Sequence, residues 1–140
     1  MRAIRNRVSR EDGVAAVEFA LILPVLALIL FGVIEFGRVW SQYQLYQGAA
    51  REGARCAAVQ ATDFSDCFIV DEIEQHAAPF DVDGPVDVEL VGGGSRVDGC
   101  TDADRGEDVQ VSWDQQLELN IPFWRNVTMT PTIKAVFRCE

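Results

Sequence analysis

The chain has 140 residues, a formal net charge of −10, four cysteines and one histidine. Setting aside a short leader and an apolar N-terminal stretch leaves one exported domain of about 80 residues. At that size a hydrophobic core alone supplies only a few kcal/mol, and covalent staples are commonly recruited. From Gln60 onward 17 acids face five bases, a balance that repels phosphate backbones and argues against nucleic acid as a partner.

The first 13 residues, MRAIRNRVSREDG, are too short to fold and carry Arg2, Arg5, Arg7 and Arg10, a basic flank of the kind that stays on the cytoplasmic side of a membrane. Residues 14–34 follow as VAAVEFALILPVLALILFGVI, with Glu18 the only charge. About 20 apolar residues suffice for a helix to cross the hydrocarbon core, so residues 14–37 read as a transmembrane helix. A secretory signal peptide places its small-residue cleavage site after the apolar core; here Gly13 stands before it. A carboxylate at mid-bilayer costs about 2.5 to 3.5 kcal/mol on insertion scales, so Glu18 requires a partner or a position in the headgroup layer. Were the chain cut after Gly13, the new amine of Val14 would lie one helical turn away, within the molecule or on a neighbour. Pro24 removes one helical hydrogen bond and is expected to loosen or kink the helix locally. Glu35 and Arg38, three apart, together with Trp40, Tyr43 and Tyr46, mark the outer interface.

The junction Gly13-Val14-Ala15-Ala16-Val17-Glu18-Phe19-Ala20-Leu21, then Pro24, then Phe31-Gly32-Val33-Ile34-Glu35-Phe36-Gly37-Arg38, resembles the TadE-like family. Members of that family are minor pseudopilins or assembly proteins of tight-adherence, Flp-type pili, and the resemblance covers roughly residues 10–60. It implies cleavage between Gly13 and Val14 by a prepilin peptidase, and recruitment of the subunit through Glu18 and Phe19. Other pilins or pseudopilins and the pilus assembly platform are its implied partners. Phe19 stands where major pilins of this type tend to have tyrosine, and the domain is much larger than those short subunits, which disfavours a major pilin.

The helical pattern continues past the membrane, since Val39, Tyr43, Tyr46, Ala50, Gly53, Ala54 and Ala57 recur every three or four residues. Residues 38–60 are therefore an extramembrane continuation of one helix ending near Val59, its small-residue face turned to the domain's own core. Within residues 61–140, Phe68, Ile69, Ile73 and Ala77 predict a short amphipathic helix stopped by Pro79. Period-two alternation predicts strands around Val86-Val88-Leu90, Val109-Val111-Trp113 and Leu117-Leu119-Ile121. A last strand is expected over 128–138, with Met129, Pro131, Ile133, Ala135 and Phe137 on one face.

Cys56, Cys67, Cys100 and Cys139 all follow the apolar helix without a CxxC pair, so two disulfides in an oxidising compartment are expected rather than a metal site. Of the three possible pairings, Cys56 with Cys67 and Cys100 with Cys139 is favoured, closing a helix-to-helix loop and tying a hairpin to the last strand. Asp98, Asp102, Asp104, Glu107 and Asp108 crowd one segment, but the third acidic position, the glycine position and the closing acid of an EF-hand loop are all missing. A solvated acidic hairpin tip is the default there. His76 has no nucleophile motif beside it and reads as a surface residue. Pro122-Phe123-Trp124 is expected to fold back over the small core.

The reading is an α+β, pilin-like chain: a long N-terminal transmembrane helix running into a small disulfide-tied antiparallel sheet domain. It would be a single-pass protein of the inner membrane with its C-terminal domain in the periplasm or at the cell surface. No enzymatic activity, cofactor or metal is expected. The alternative is an uncleaved single-pass anchor displaying an acidic binding or adhesive domain, and a calcium-dependent or enzymatic tethered module is a third class.

Overall fold

A computed structural model describes residues 10–59, 67–93, 99–121 and 125–140. Helix α1 spans Arg10–Val59, 50 residues, or about 75 Å at 1.5 Å per residue. It continues unbroken across Pro24. Its most apolar 18-residue window has a mean hydropathy of 2.7, and none of that window is buried. Burial begins at Val39 and continues through Tyr46, Ala49, Ala50, Gly53, Ala54 and Ala57, the three-and-four spacing of one helical face. The helix thus has two halves of different chemistry: one coated with Leu, Ile, Val and Phe facing outward, and one whose small side chains let the domain come close.

Helix α2, Ile69–Ala77, lies on that small-residue face with Ile69, Ile73 and Ala77 buried. The fit is tight at Gly53, where an added Cβ would lie 2.6 Å from Ile73 Cδ1 and closer still to its Cγ1. The two helices are joined covalently by Cys56 and Cys67, Cα atoms 5.9 Å apart. Phe68, expected on the core face, is instead 70% exposed. It precedes the first helical turn in an extended conformation, so it does not share the rotation that buries Ile69. The helix ends before a cis Ala78-Pro79 peptide.

Strands β1 (Asp87–Leu90), β2 (Asp108–Asp114) and β5 (Thr132–Arg138) form an antiparallel sheet in the order β1-β2-β5. Val88 pairs with Val111 and Val111 with Ala135, while Trp113 pairs with Ile133. All five are buried, because period-two alternation in this register puts every one of them on the face toward α1. Asp87, Glu89, Lys134 and Val136 occupy the exposed face. A second disulfide, Cys100–Cys139, joins the segment before β2 to the end of β5. Beside it Cys100 N–H donates to Ala57 O at 2.9 Å, so the far end of the domain is fastened to the far end of α1.

The sheet departs from the expected layout in one respect. The stretch 128–138 is two strands: β4 (Val127–Met129) pairs with β3 (Leu117–Leu119) in a separate two-stranded sheet. Pro131 has no N–H to give a ladder, and its carbonyl accepts from Gln115 N–H at 3.0 Å, so the chain leaves one sheet and enters the other there. Met129 consequently faces Leu117 instead of continuing the row of Ile133 and Ala135. Phe137, expected inside, is 39% exposed at the end of an edge strand. Strand β3 also stops two residues early, because Asn120 N–H is taken by the Glu35 carboxylate.

Gln115 is the buried polar residue at this crossing, 1% exposed. Its Oε1 accepts from Trp113 Nε1 at 3.0 Å and from Asp83 N–H at 3.2 Å, and its Nε2 donates to Asp83 Oδ2 at 2.6 Å. One amide therefore satisfies the indole and holds the 81–83 segment against β2.

Candidate functional site

Gly13, Val14 and Glu18 sit on consecutive turns of α1, inside the helix rather than at its end. With Val17 and Leu21 they line one shallow open groove along the helix surface, the strip expected of positions i, i+3, i+4 and i+7. Val14 is 68% and Leu21 73% exposed. Phe19, one residue on from Glu18, is turned about 100° around the axis and is 60% exposed. The structure thus groups Gly13, Val14 and Glu18 and sets Phe19 on a neighbouring face. Among the described residues, no hydrogen bond or ion pair reaches the Glu18 carboxylate. A Cβ at Gly13 would meet nothing within 4 Å, so among the described residues nothing requires glycine there, in contrast to Gly53.

The second constellation lies where the apolar stretch ends. Arg38 donates to Glu35 through Nη2 at 2.6 Å and Nε at 3.1 Å, the bidentate fork that makes guanidinium–carboxylate pairs strong. The same Arg38 Nη2 donates to Glu118 O at 2.9 Å, and Glu35 Oε1 accepts from Asn120 N–H at 2.8 Å. Donating to the Glu35 carboxylate raises the pKa of the Arg38 guanidinium above its usual value. The spacing of Glu35 and Arg38 was legible in the sequence, but their attachment to β3 was not: the partners lie 80 and 85 residues away, and the contacted groups are backbone. Phe36 and Trp40 stack with centroids 6.1 Å apart, and Trp40 meets Tyr43 at 5.9 Å. One turn further, Tyr46 Oη donates to Asp81 O at 3.0 Å, and burial, helped by Asp83 and Asp81, pushes its phenol up from the usual value.

The acidic segment does not gather its carboxylates at one point. Asp104 is buried and accepts from Thr101 N–H at 2.8 Å and Thr101 Oγ1 at 2.5 Å, closing a capping box on the 3-10 turn Asp102–Asp104. Asp102 is turned outward toward Arg105 at 3.4 Å. Asp98 lies outside the described residues, as does Pro122-Phe123-Trp124. Among the described residues, no three of His, Cys, Asp and Glu converge on a common centre. His76 is on the surface beside Glu72, 3.5 Å from Oε1.

The glycine without an intramolecular reason, the free carboxylate one turn beyond it and the long apolar surface all fall in one stretch. Residues 13–55 match the model of the family described as TadE-like protein. Over that stretch the chain is similar to the TadE-like family. The matched segment begins on Gly13 and ends inside the small-residue face that carries the domain, so it holds both halves of α1 and none of the sheet. A TadE-like segment points to a protein associated with a tight-adherence pilus. No curated protein and no solved structure matches the chain.

Proposed function

We propose that this chain is a minor pseudopilin or assembly protein of a tight-adherence pilus, anchored through α1 in the inner membrane with its domain exported. A membrane prepilin peptidase cuts it after Gly13. The observation that carries this reading is the TadE-like match beginning at Gly13, on a helix whose first half is apolar, exposed and unused by the domain. After cleavage the Val14 amine would lie one turn from Glu18. In the membrane that pair, or the same pair across two subunits, relieves the cost of the carboxylate. The apolar surface around it, Phe19 included, then packs against neighbouring pilin helices. The role is structural, and the two disulfides suit an oxidising compartment outside the cytoplasm.

The test is the N-terminus and intact mass of the protein extracted from membranes of its native host. A chain beginning at Val14 supports the proposal. One that keeps its leader identifies an uncleaved single-pass anchor, and the search for function then moves to the acidic domain. Glu18→Val separates recruitment from insertion: the variant is expected in the membrane but absent from pilus-associated complexes. Its normal incorporation would remove the role given to Glu18.

A further inference from the structure

The main sheet ends in two open edges, β1 and β5. Val91 N–H donates to Asp108 O and Cys139 N–H to Glu107 O, both at 2.8 Å, and in an antiparallel ladder only every second residue turns its N–H and C=O to a given neighbour. By the register, Asp87 and Glu89 therefore bond β2, and Val88 and Leu90 turn their backbone groups to the free edge. On β5, Ile133, Ala135 and Phe137 bond β2, and Lys134 and Val136 face the opposite edge. Of these edge groups, among the described residues, Leu90 O alone has a hydrogen bond, closing a turn with Gly93 N–H.

The two edges carry opposite charge. On the outer face β1 shows Asp87 and Glu89, and β5 shows Lys134. Neutral Ser112 stands between Asp87 and Lys134, and none of the three charges forms an ion pair among the described residues. The exposed large apolar side chains of this sheet also lie at its edges: Val91 just past β1, 57% exposed, and Val136 and Phe137 on β5, 49% and 39% exposed.

Joining like edges of two copies needs a two-fold axis. An axis normal to the sheet reverses α1, which packs along the sheet face, whereas insertion in one membrane gives every α1 the same direction. An axis along the strands sets the apolar face of one copy beside the charged face of the other. Unlike edges need neither. Strands β1 and β5 are parallel within one copy, each being antiparallel to β2, so a copy moved sideways keeps its direction and its faces.

We propose that β1 of one copy adds to β5 of a second copy as a parallel strand, continuing the sheet from subunit to subunit. A parallel ladder places a residue with free backbone groups beside one whose groups point away, which puts Lys134 beside an acid of β1. With Glu89 in that place, Asp87 stands beside Thr132 and Val91 beside Val136. Val88 and Leu90 then extend the apolar row of Ile133 and Ala135. The contact joins different edges, so each addition leaves one open and the row can grow. The choice of edges rests on the membrane reading of α1, and the experiment separates the two.

Full-length chains carrying Glu89→Cys or Lys134→Cys, with different tags, are produced together in membranes of the native host and oxidised briefly. Neighbouring strands lie about 4.8 Å apart, within disulfide reach. Non-reducing peptide mapping verifies that both native disulfides persist in every variant. The expected result is a mixed dimer, with no dimer from either variant alone and none when Glu74→Cys on the exposed face of α2 replaces Glu89→Cys. Val91→Cys with Val136→Cys is a second pair that keeps the charges. Adding Lys134→Glu to the Val136→Cys chain should lower its yield about two- to fivefold, and Glu89→Lys in the Val91→Cys chain should restore it. A Lys134→Cys homodimer, equal yield with Glu74→Cys, or a cross-link to a different protein in place of the mixed dimer overturns the pairing. Absence of any mixed dimer from chains that resist alkaline carbonate overturns it too and leaves the anchor standing. Release of the chain by carbonate removes the membrane reading and the proposal with it.

Discussion

Two glycines five residues apart on α1 should respond in opposite directions to the same substitution. At Gly48 an added Cβ meets nothing within 4 Å, so Gly48→Ala is expected to stabilise the domain by helix propensity alone, about 0.8 to 1 kcal/mol. At Gly53 the same propensity gain is opposed by Ile73, whose Cδ1 lies 2.6 Å from the new atom and whose side chain is fully buried. Ile73 cannot swing into solvent without lifting α2, and overpacking of this kind costs about 1 to 3 kcal/mol. Gly53→Ala is therefore expected to be neutral to destabilising by about 2 kcal/mol, placing the two variants roughly 1 to 3 kcal/mol apart. Ile73→Ala alone should cost about 2 to 5 kcal/mol through the cavity it leaves. Combined with Gly53→Ala it should lose less than the sum, because the new methyl partly fills that cavity. The assay is urea unfolding of the full chain in detergent, disulfides intact, followed by Trp113 fluorescence. Equal stabilisation by Gly48→Ala and Gly53→Ala would refute the close approach of α2 to α1.

Replacing Gln115 by Leu strands the Trp113 indole N–H and the Asp83 contacts in the interior, and should cost about 2 to 4 kcal/mol in the same assay; a loss under 1 kcal/mol would mean water replaces the amide. Removing Cys100–Cys139, whose ends are 39 positions apart in sequence, should destabilise by about 4 kcal/mol, and removing Cys56–Cys67, 11 apart, by about 3 kcal/mol on the chain-entropy relation. The reverse order would show that the smaller clamp acts on native packing of α2. Tyr46 predicts an alkaline limit. Its folded pKa lies above the unfolded value near 10, so its contribution is complete below pH 10 and is lost as pH rises through the folded value. Tyr46→Phe should weaken the domain by about 1 kcal/mol at neutral pH and flatten that alkaline fall, as read from unfolding midpoints at a series of pH values.

The long helix and its change from a broad apolar coat to a small-residue face were legible because each is a periodic or composition signal within one element. The three strands of the main sheet and α2 were legible for the same reason, as alternation or helical spacing puts Val111, Trp113 and Ile73 on a buried face whatever the neighbouring element is. The disulfide partners were narrowed by position along the chain, and the structure joins Cys56 to Cys67 and Cys100 to Cys139.

What tertiary structure alone decided is where non-repeating groups find partners. The division of 128–138 into β4 and β5 depends on Gln115 reaching the Pro131 carbonyl, and the end of β3 depends on Glu35 capturing Asn120 N–H. Neither leaves a local pattern, because a backbone donor has no residue identity and its acceptor is distant in sequence. Alternation fixes which face of a strand is apolar. Only the packed chain fixes which strand lies beside it, as it does in setting β4 against β3 rather than in line with β5.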